Sequence, residues 1–256
     1  KKNFFPKRNV DTIRYSISDT YHGIYDDIRN SLGRVHFEHT KDPIQNELTY
    51  ARFALWHYVK KDWQTKDPYR ELHRAGSNLR GLMRILMFKR FESSVYAFRM
   101  TIGRSIKIHE NFLLAIENGI IPAGESAQRI LYRSDSYKYS EPYLIRDLKS
   151  ISQQYDIENF DIERLTKHIE HDLGVLNYVF SLVNENEIPP KKDAKLQKIK
   201  QVLGEKPFNE GKVLIFSESA ETVDYLFENI NPNKDPAIKK ASTGVDNKSA
   251  LVNRFS

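Results

Sequence analysis

Histidine supplies the first candidates for chemistry. His168-Ile-Glu-His171, followed by Asp172, sets two imidazoles three residues apart. On a helix that spacing puts both rings on one face, a geometry zinc can use. His36-Phe-Glu-His39 repeats the spacing. A metal site needs a further ligand from elsewhere, and nothing in the sequence points to one, so exposed helical histidines are expected instead. A phosphate cradle fails more clearly. A P-loop needs G-x-x-x-x-G-K-[ST], because backbone N–H groups hold the phosphates, the lysine reaches them and the hydroxyl binds magnesium. Gly204 and Gly211-Lys212 have the wrong spacing, Val213 stands where the hydroxyl belongs, and the lysine runs into a strand-like run. No D-E-x-H or D-E-A-D box is present. This stretch of chain is expected to hold no cofactor and no metal.

Basic residues are the next candidates. Arg80, Arg84, Lys89, Arg90, Arg99, Arg104 and Lys107 crowd one long segment, and Lys89-Arg-Phe-Glu-Ser-Ser94 is its most distinctive string. They do not fall on one clean stripe. Two readings stand: a solvated or salt-bridged face, or a surface that contacts phosphates. Trp56, Trp63 and the tyrosines could stack on bases. In a chain with 14 Tyr and 14 Phe, core packing is the default.

The element that must carry these residues is Gly76 to Asn118, a run without proline. Ser77 or Asn78 can cap its start, and Asn118-Gly119 supplies a left-handed stop. The pattern predicts one very long helix, or two meeting near Gly103. Leu79, Leu82, Met83 and Leu86 share one side, and Phe91, Val95, Phe98 and Ile102 another, so the spine should pack against different partners along its length.

Around it, Thr12–Ser18 alternates apolar and polar and predicts a half-buried strand. Asp19 or Thr20 then caps a helix with Tyr21, Ile24, Tyr25 and Ile28, ending near Gly33. Asp42-Pro43 opens a helix to about Lys61, and Asp67-Pro68 a short one leading into the spine. Helices are predicted over 123–133, 141–155 and 161–184, with a loop over 134–140. Pro189-Pro190-Lys191-Lys192 reads as a linker before a helix over 194–203. Lys212-Val-Leu-Ile-Phe216 is a continuous apolar run of the kind buried on both faces of a parallel sheet. A helix over 219–230, a strand over 237–242 and a helix over 247–255 follow, which reads as the opening of an α/β domain.

At 256 residues, 39% hydrophobic and 29% charged, the chain is expected to be globular. Its net charge of +6 is a mild basic excess, compatible with nucleic acid. Having no cysteine, it has neither disulfides nor thiolate metal sites. No apolar run approaches the roughly 20 residues of a membrane helix, and no signal peptide opens the chain. No membrane partner and a cytoplasmic location are expected. Lys1 at the start and Ser256 in mid-element suggest a piece of a longer protein.

Three places resemble a SWI/SNF-like, superfamily-two DNA helicase or translocase. Lys212-Val-Leu-Ile-Phe-Ser-Glu218 is similar to motif IV, the first strand of the second RecA-like lobe. Thr243-Gly244 with Leu251-Val-Asn-Arg-Phe255 resembles the next strand end and helix. Phe5-Pro6-Lys7-Arg8 and the segment through Ile28 look like the exit from the first lobe. The helical middle, with its K-R-F-E-S-S string, resembles the helical insertion between the lobes of bacterial members. The resemblance implies a mainly α protein: a long-helix bundle followed by a partial α/β (RecA-like) parallel-sheet segment. Its divisions would be 1–33 as interlobe linker, 34–204 as helical insertion and 205–256 as the start of the second lobe. It also implies a parent that hydrolyses ATP with magnesium, while this stretch does not. Implied partners are nucleic acid, chiefly duplex DNA, and the first motor lobe of the same chain. Lys89, Arg90, Ser217, Glu218 and Thr243 are the implied nucleic-acid contacts. Ser217 or Ser219 could equally cap the following helix. Arg90 and Glu92 could make an interlobe ion pair or touch DNA. Successive helical positions turn by about 100°, so these two should not pair with each other.

Two rival classes remain. One is a helical protein-interaction module whose basic residues pair with the 34 acidic ones. The other rests on Arg104-Ser-Ile-Lys-Ile-His109, which resembles the R-x4-H pattern of HEPN-type ribonucleases. That resemblance implies an arginine steadying the scissile phosphate and a histidine acting as acid or base. Ser105 departs from the polar amide or acid usual after the arginine.

Overall fold

The computed structural model describes residues 9–33, 38, 41–133, 141–151 and 155–241. Two short helices, α1 (Ile17–Thr20) and α2 (Tyr25–Ser31), precede an irregular stretch with 3-10 turns at Ala51–Phe53, Leu55–Tyr58 and Lys61–Trp63. The long helices α3 (Tyr69–Ser93) and α4 (Val95–Glu117) follow, then α5 (Gly124–Arg133), α6 (Glu141–Ile151) and α7 (Ile162–Val183). The chain continues through a 3-10 turn at Pro190–Lys192 into α8 (Ala194–Leu203) and α9 (Ala220–Ile230). The fold is mainly helical, and the described residues contain no strand.

Helix α4 is the axis, and α7 lies along it. Where the far half of α4 presents Ile108, Phe112 and Ala115, the start of α7 and helices α5 and α6 close one core with Leu165, Ile169, Leu131 and Leu148. Its near half presents Val95, Phe98 and Ile102 to Ile28 of α2, Phe91 of α3 and Leu176 and Val179 of α7. Full burial of each such side chain stabilises the fold by about 1.5–3 kcal/mol. The third cluster is small: Leu196 of α8 with Tyr225 and Leu226 of α9. Helix α9 therefore holds on with little apolar area and depends on polar contacts.

Several sequence expectations hold. Asn118 ends α4, and Gly119 takes a φ of 76° that suits glycine. The helices expected over 161–184 and 194–203 form as α7 and α8, and the structure adds their caps: Asp161 accepts from Arg164 N–H and Asp193 from Leu196 N–H. Phe91, Val95, Phe98 and Ile102 are all buried.

Others need correction. The spine starts at Tyr69, so Ser77 and Asn78 lie inside α3 rather than capping it. The helices part at Ser94, not Gly103. A Cβ on Gly103 would sit 3.6 Å from Phe180 Cε2, an ordinary van der Waals distance, so this glycine neither breaks the spine nor is required for α7 to pack on α4. Leu79, Leu82 and Leu86 are exposed, and only Met83 of that predicted face packs on the core. Residues 12–16 form no strand, with Ile13 and Tyr15 exposed, and 17–20 are helical. Helix α2 begins at Tyr25, with Ile24 rather than Asp19 or Thr20 at its cap. No strand forms over Lys212–Phe216, where Phe216 is 87% exposed, or over 237–241. Phe5–Arg8, His36, His39, 134–140, Thr243-Gly244 and 247–255, for which the sequence also carries expectations, lie outside the described residues.

The helix predicted from Asp42 to Lys61 fails for a visible reason. Asp172 on α7 is fully buried and takes hydrogen bonds from Thr49 N–H (2.6 Å), Thr49 Oγ1 (3.0 Å) and Ala51 N–H (3.1 Å). Backbone donors that a helix would use are spent on this carboxylate, and Tyr50 between them is left-handed at φ 57°. The segment is pinned to α7 as a series of turns. Asp172→Ala would strand two buried N–H groups and should cost about 3 kcal/mol of stability in urea denaturation. A loss under about 0.5 kcal/mol would show that the carboxylate does not pin the segment.

Candidate functional site at the helix break

Ser94 organises the site. Its backbone is extended (φ −162°, ψ 153°), and it serves as C-cap of α3 and N-cap of α4. Its N–H donates to Arg90 O at 3.4 Å, its carbonyl accepts from Phe98 N–H at 3.0 Å, and its Oγ accepts from Ala97 N–H at 3.0 Å. Serine suits this role because its short hydroxyl replaces the backbone bond that the break removes.

Helix α9 docks on the break. Thr222 Oγ1 lies 2.9 Å from Ser94 Oγ and 3.0 Å from Ser93 Oγ. Ser219 caps α9, accepting from Thr222 N–H at 3.3 Å, and its hydroxyl donates to Glu221 Oε2 at 2.9 Å. The Glu221 carboxylate accepts from Arg90 Nη1 at 3.2 Å and from Arg104 Nη1 at 2.6 Å, so one acid ties α9 to both halves of the spine. Tyr225 stacks on Tyr96 of α4, with ring centroids 5.4 Å apart and planes 3° from parallel. Lys195 of α8 donates to the carbonyls of Glu92 (3.0 Å) and Ser93 (2.8 Å), the orphan acceptors at the end of α3. A cavity of about 100 Å³ beside these groups is lined by Ser93, Ser94, Lys195, Phe216, Ser217 and Thr222.

Electrostatics follow from the geometry. Burial alone would raise the Glu221 carboxyl. Hydrogen bonds from Arg104 and Ser219, with Arg90 close by, outweigh it and hold the group at about 2. Burial lowers the Lys195 ammonium, while Asp193 and Glu92 work against the shift.

Two of the five predicted contacts, Arg90 and Ser217, meet at the break, in altered roles. Arg90 is engaged with Glu221, not with Glu92. Lys89, next to it, is exposed. Ser217 lines the cavity and accepts from Ser219 N–H at 3.2 Å, and Glu218 is exposed. Thr243 lies outside the described residues. Sequence reasoning missed Glu221 and Thr222. Ser219 with an acid two residues on marks a helix start, but nothing local links position 221 to position 90.

Other spine cations also turn inward. Arg99 donates to Val183 O (2.7 Å) and Ile188 O (3.0 Å), closing the end of α7. Arg84 donates to Gly33 O. Lys107 instead makes an exposed pair with Glu110 of the same helix at 3.3 Å.

His168, His171 and His109 make structural contacts. Tyr58 Oη and His168 Nδ1 are 2.7 Å apart, and burial with Arg164 nearby lowers that imidazole to about 4. His171 Nε2 lies 2.9 Å from Glu47 O, so the pair serves separate partners. Among the described residues no cluster of three or more His, Cys, Asp or Glu could hold a metal ion. His109 is buried with Nδ1 2.6 Å from Ser105 O, and burial and Arg52 lower it to about 3. Arg104 meanwhile engages Glu221, so the R-x4-H pair is not assembled into one site. No helix among the described residues is long and apolar enough to cross a membrane.

No protein family, curated protein or solved structure matches the chain.

The Glu221 carboxyl titrates at about 2 when folded, against an ordinary value of 4.5. Its stabilising contribution is complete above pH 4.5 and is lost as pH falls from there toward 2. Hydrogen-exchange protection factors of the α9 amides should fall across that window, and Glu221→Gln should flatten the response. The same acid response in both proteins would contradict the assignment.

Proposed function

We infer that the chain is the helical insertion and the opening of the second RecA-like lobe of a SWI/SNF-like, ATP-dependent DNA translocase. In this reading the helical part couples the motion of a motor lobe to contact with duplex DNA in the cytoplasm. ATP and magnesium bind elsewhere in the parent protein. Lys212–Phe216 becomes the first strand of the lobe, and its exposed Leu214, Ile215 and Phe216 are faces that sheet neighbours and covering helices would bury. Lys89 remains the exposed cation of the K-R-F-E-S-S string, while Arg90 acts as the coupling residue.

One observation carries the reading. Arg90 and Arg104 converge on Glu221, and Ser93 and Ser94 on Thr222, so the string most specific to the resemblance grips the helix that follows the motif IV-like run. A protein-interaction module is the second reading. It draws on the exposed row Leu79, Leu82, Ile85 and Leu86 along α3 and on the inward pairing of the spine cations.

Fluorescence anisotropy with a labelled duplex separates the two. The translocase reading expects binding at low salt that weakens steeply as salt rises, because phosphate contacts release counterions. Lys89→Ala should weaken it further and reduce the logarithmic salt slope by about 1. Absence of duplex binding at low salt would remove the DNA role and leave the interaction module.

A further inference from the structure

The pairing at Glu221 is built from parts that suit another anion. Two guanidiniums, one on each side of the helix break, converge on a single carboxylate. Each guanidinium is a planar fork of five N–H donors, and such forks fit phosphate oxygens as well as carboxylates. The Arg90 and Arg104 side chains are 35% and 34% exposed, so a ligand can reach them from solvent.

Further donors line the cavity at the helix break. The Ser93, Ser94 and Thr222 hydroxyls carry three hydrogens between them. Two of these serve the Ser93–Thr222 and Ser94–Thr222 contacts, which leaves one donor over. The Ser217 hydroxyl accepts from Ser219 N–H and retains its own hydrogen. Lys195 spends two ammonium hydrogens on Glu92 O and Ser93 O and keeps a third. Asp193, the acid lining the same cavity, is occupied as acceptor by Leu196 N–H and the Tyr225 hydroxyl, both at 3.1 Å.

We propose that Arg90 and Arg104 form a phosphate-binding fork at the helix break, that Glu221 occupies it in the closed state, and that an incoming phosphate oxyanion displaces Glu221 and loosens α9. The ligand class is a phosphate group, free or in a nucleic-acid backbone. Displacement costs α9 its ionic tether and leaves the hydroxyl contacts, the Tyr96–Tyr225 stack and the small apolar cluster to hold it. The duplex arm of the test rests on the proposed function; the free-phosphate arm does not.

The test uses the whole chain at constant ionic strength, with inorganic phosphate and a 20-base-pair duplex as separate probes. Removing the internal competitor by Glu221→Gln should tighten binding of at least one probe about ten-fold. Glu228→Gln, which removes an exposed charge from the same helix, should change it less than two-fold. Adding Arg104→Gln to Glu221→Gln should abolish the gain. A gain with inorganic phosphate identifies a small phosphate ligand, and a gain with the duplex alone identifies a backbone phosphate. In the wild-type chain the effective probe should speed amide exchange across α9 relative to chloride, which reads displacement without any substitution. Equal gains from Glu221→Gln and Glu228→Gln, or no acceleration by either probe, would overturn the fork. Duplex binding with no Glu221→Gln gain would leave the translocase reading standing without the fork. A gain with phosphate and no duplex binding would leave the fork and remove that reading.

Discussion

Ser94 holds an extended backbone between two helices of 25 and 23 residues, and much of the molecule is arranged by that one departure from helical geometry. An uninterrupted helix of that length would present a continuous surface. With the break, α3 and α4 take separate directions, and the hydroxyls and carbonyls at the corner become available to other elements. Ser94 caps α4, Lys195 of α8 takes the carbonyls that α3 leaves open, and Thr222 of α9 takes the serine hydroxyls. The C-terminal helices are held by what the break exposes.

The basic residues of the spine have a related logic. A row of arginines in a sequence invites a nucleic-acid surface, yet here Arg84, Arg90, Arg99 and Arg104 bridge to other elements over long sequence separations. Guanidinium groups suit this work, because one planar fork can satisfy carbonyls at the end of a helix or a carboxylate on another. Arg99 closes α7, and Arg90 and Arg104 meet at α9. The last arrangement joins two guanidiniums on one carboxylate and leaves both side chains about a third exposed, so bracing and ligand recognition can coincide there.

Much of the helical architecture was legible in the sequence. The caps at Asp161, Asp193 and Ser219 and the stop at Gly119 are local signals, and the helices they bound agree with those signals to within a residue. Where a distant partner decides, local reading fails. Asp172 draws Thr49 and Ala51 out of the predicted helix from 121–123 residues away, and the apolar face of Leu79, Leu82 and Leu86 stays exposed instead of entering the core. Alternation over 12–18 and the apolar run 212–216 satisfy the strand period, but a strand also needs a neighbour to complete its ladder. At the site, K-R-F-E-S-S stood out by composition, and Ser217 proved to lie beside it. The acid that organises both arginines was invisible, because Glu221 lies 131 residues from Arg90.

The Ser94 and Thr222 hydroxyls, brought together at the break, hold α9 in place. A double-mutant cycle on Ser94→Ala and Thr222→Val, with stability read by urea denaturation, measures that contact apart from the capping role of Ser94. A coupling energy of about 1 kcal/mol is expected, the ordinary net worth of a buried neutral hydrogen bond. Strictly additive losses would mean that the two hydroxyls do not act together, and that α9 is held by something other than the break.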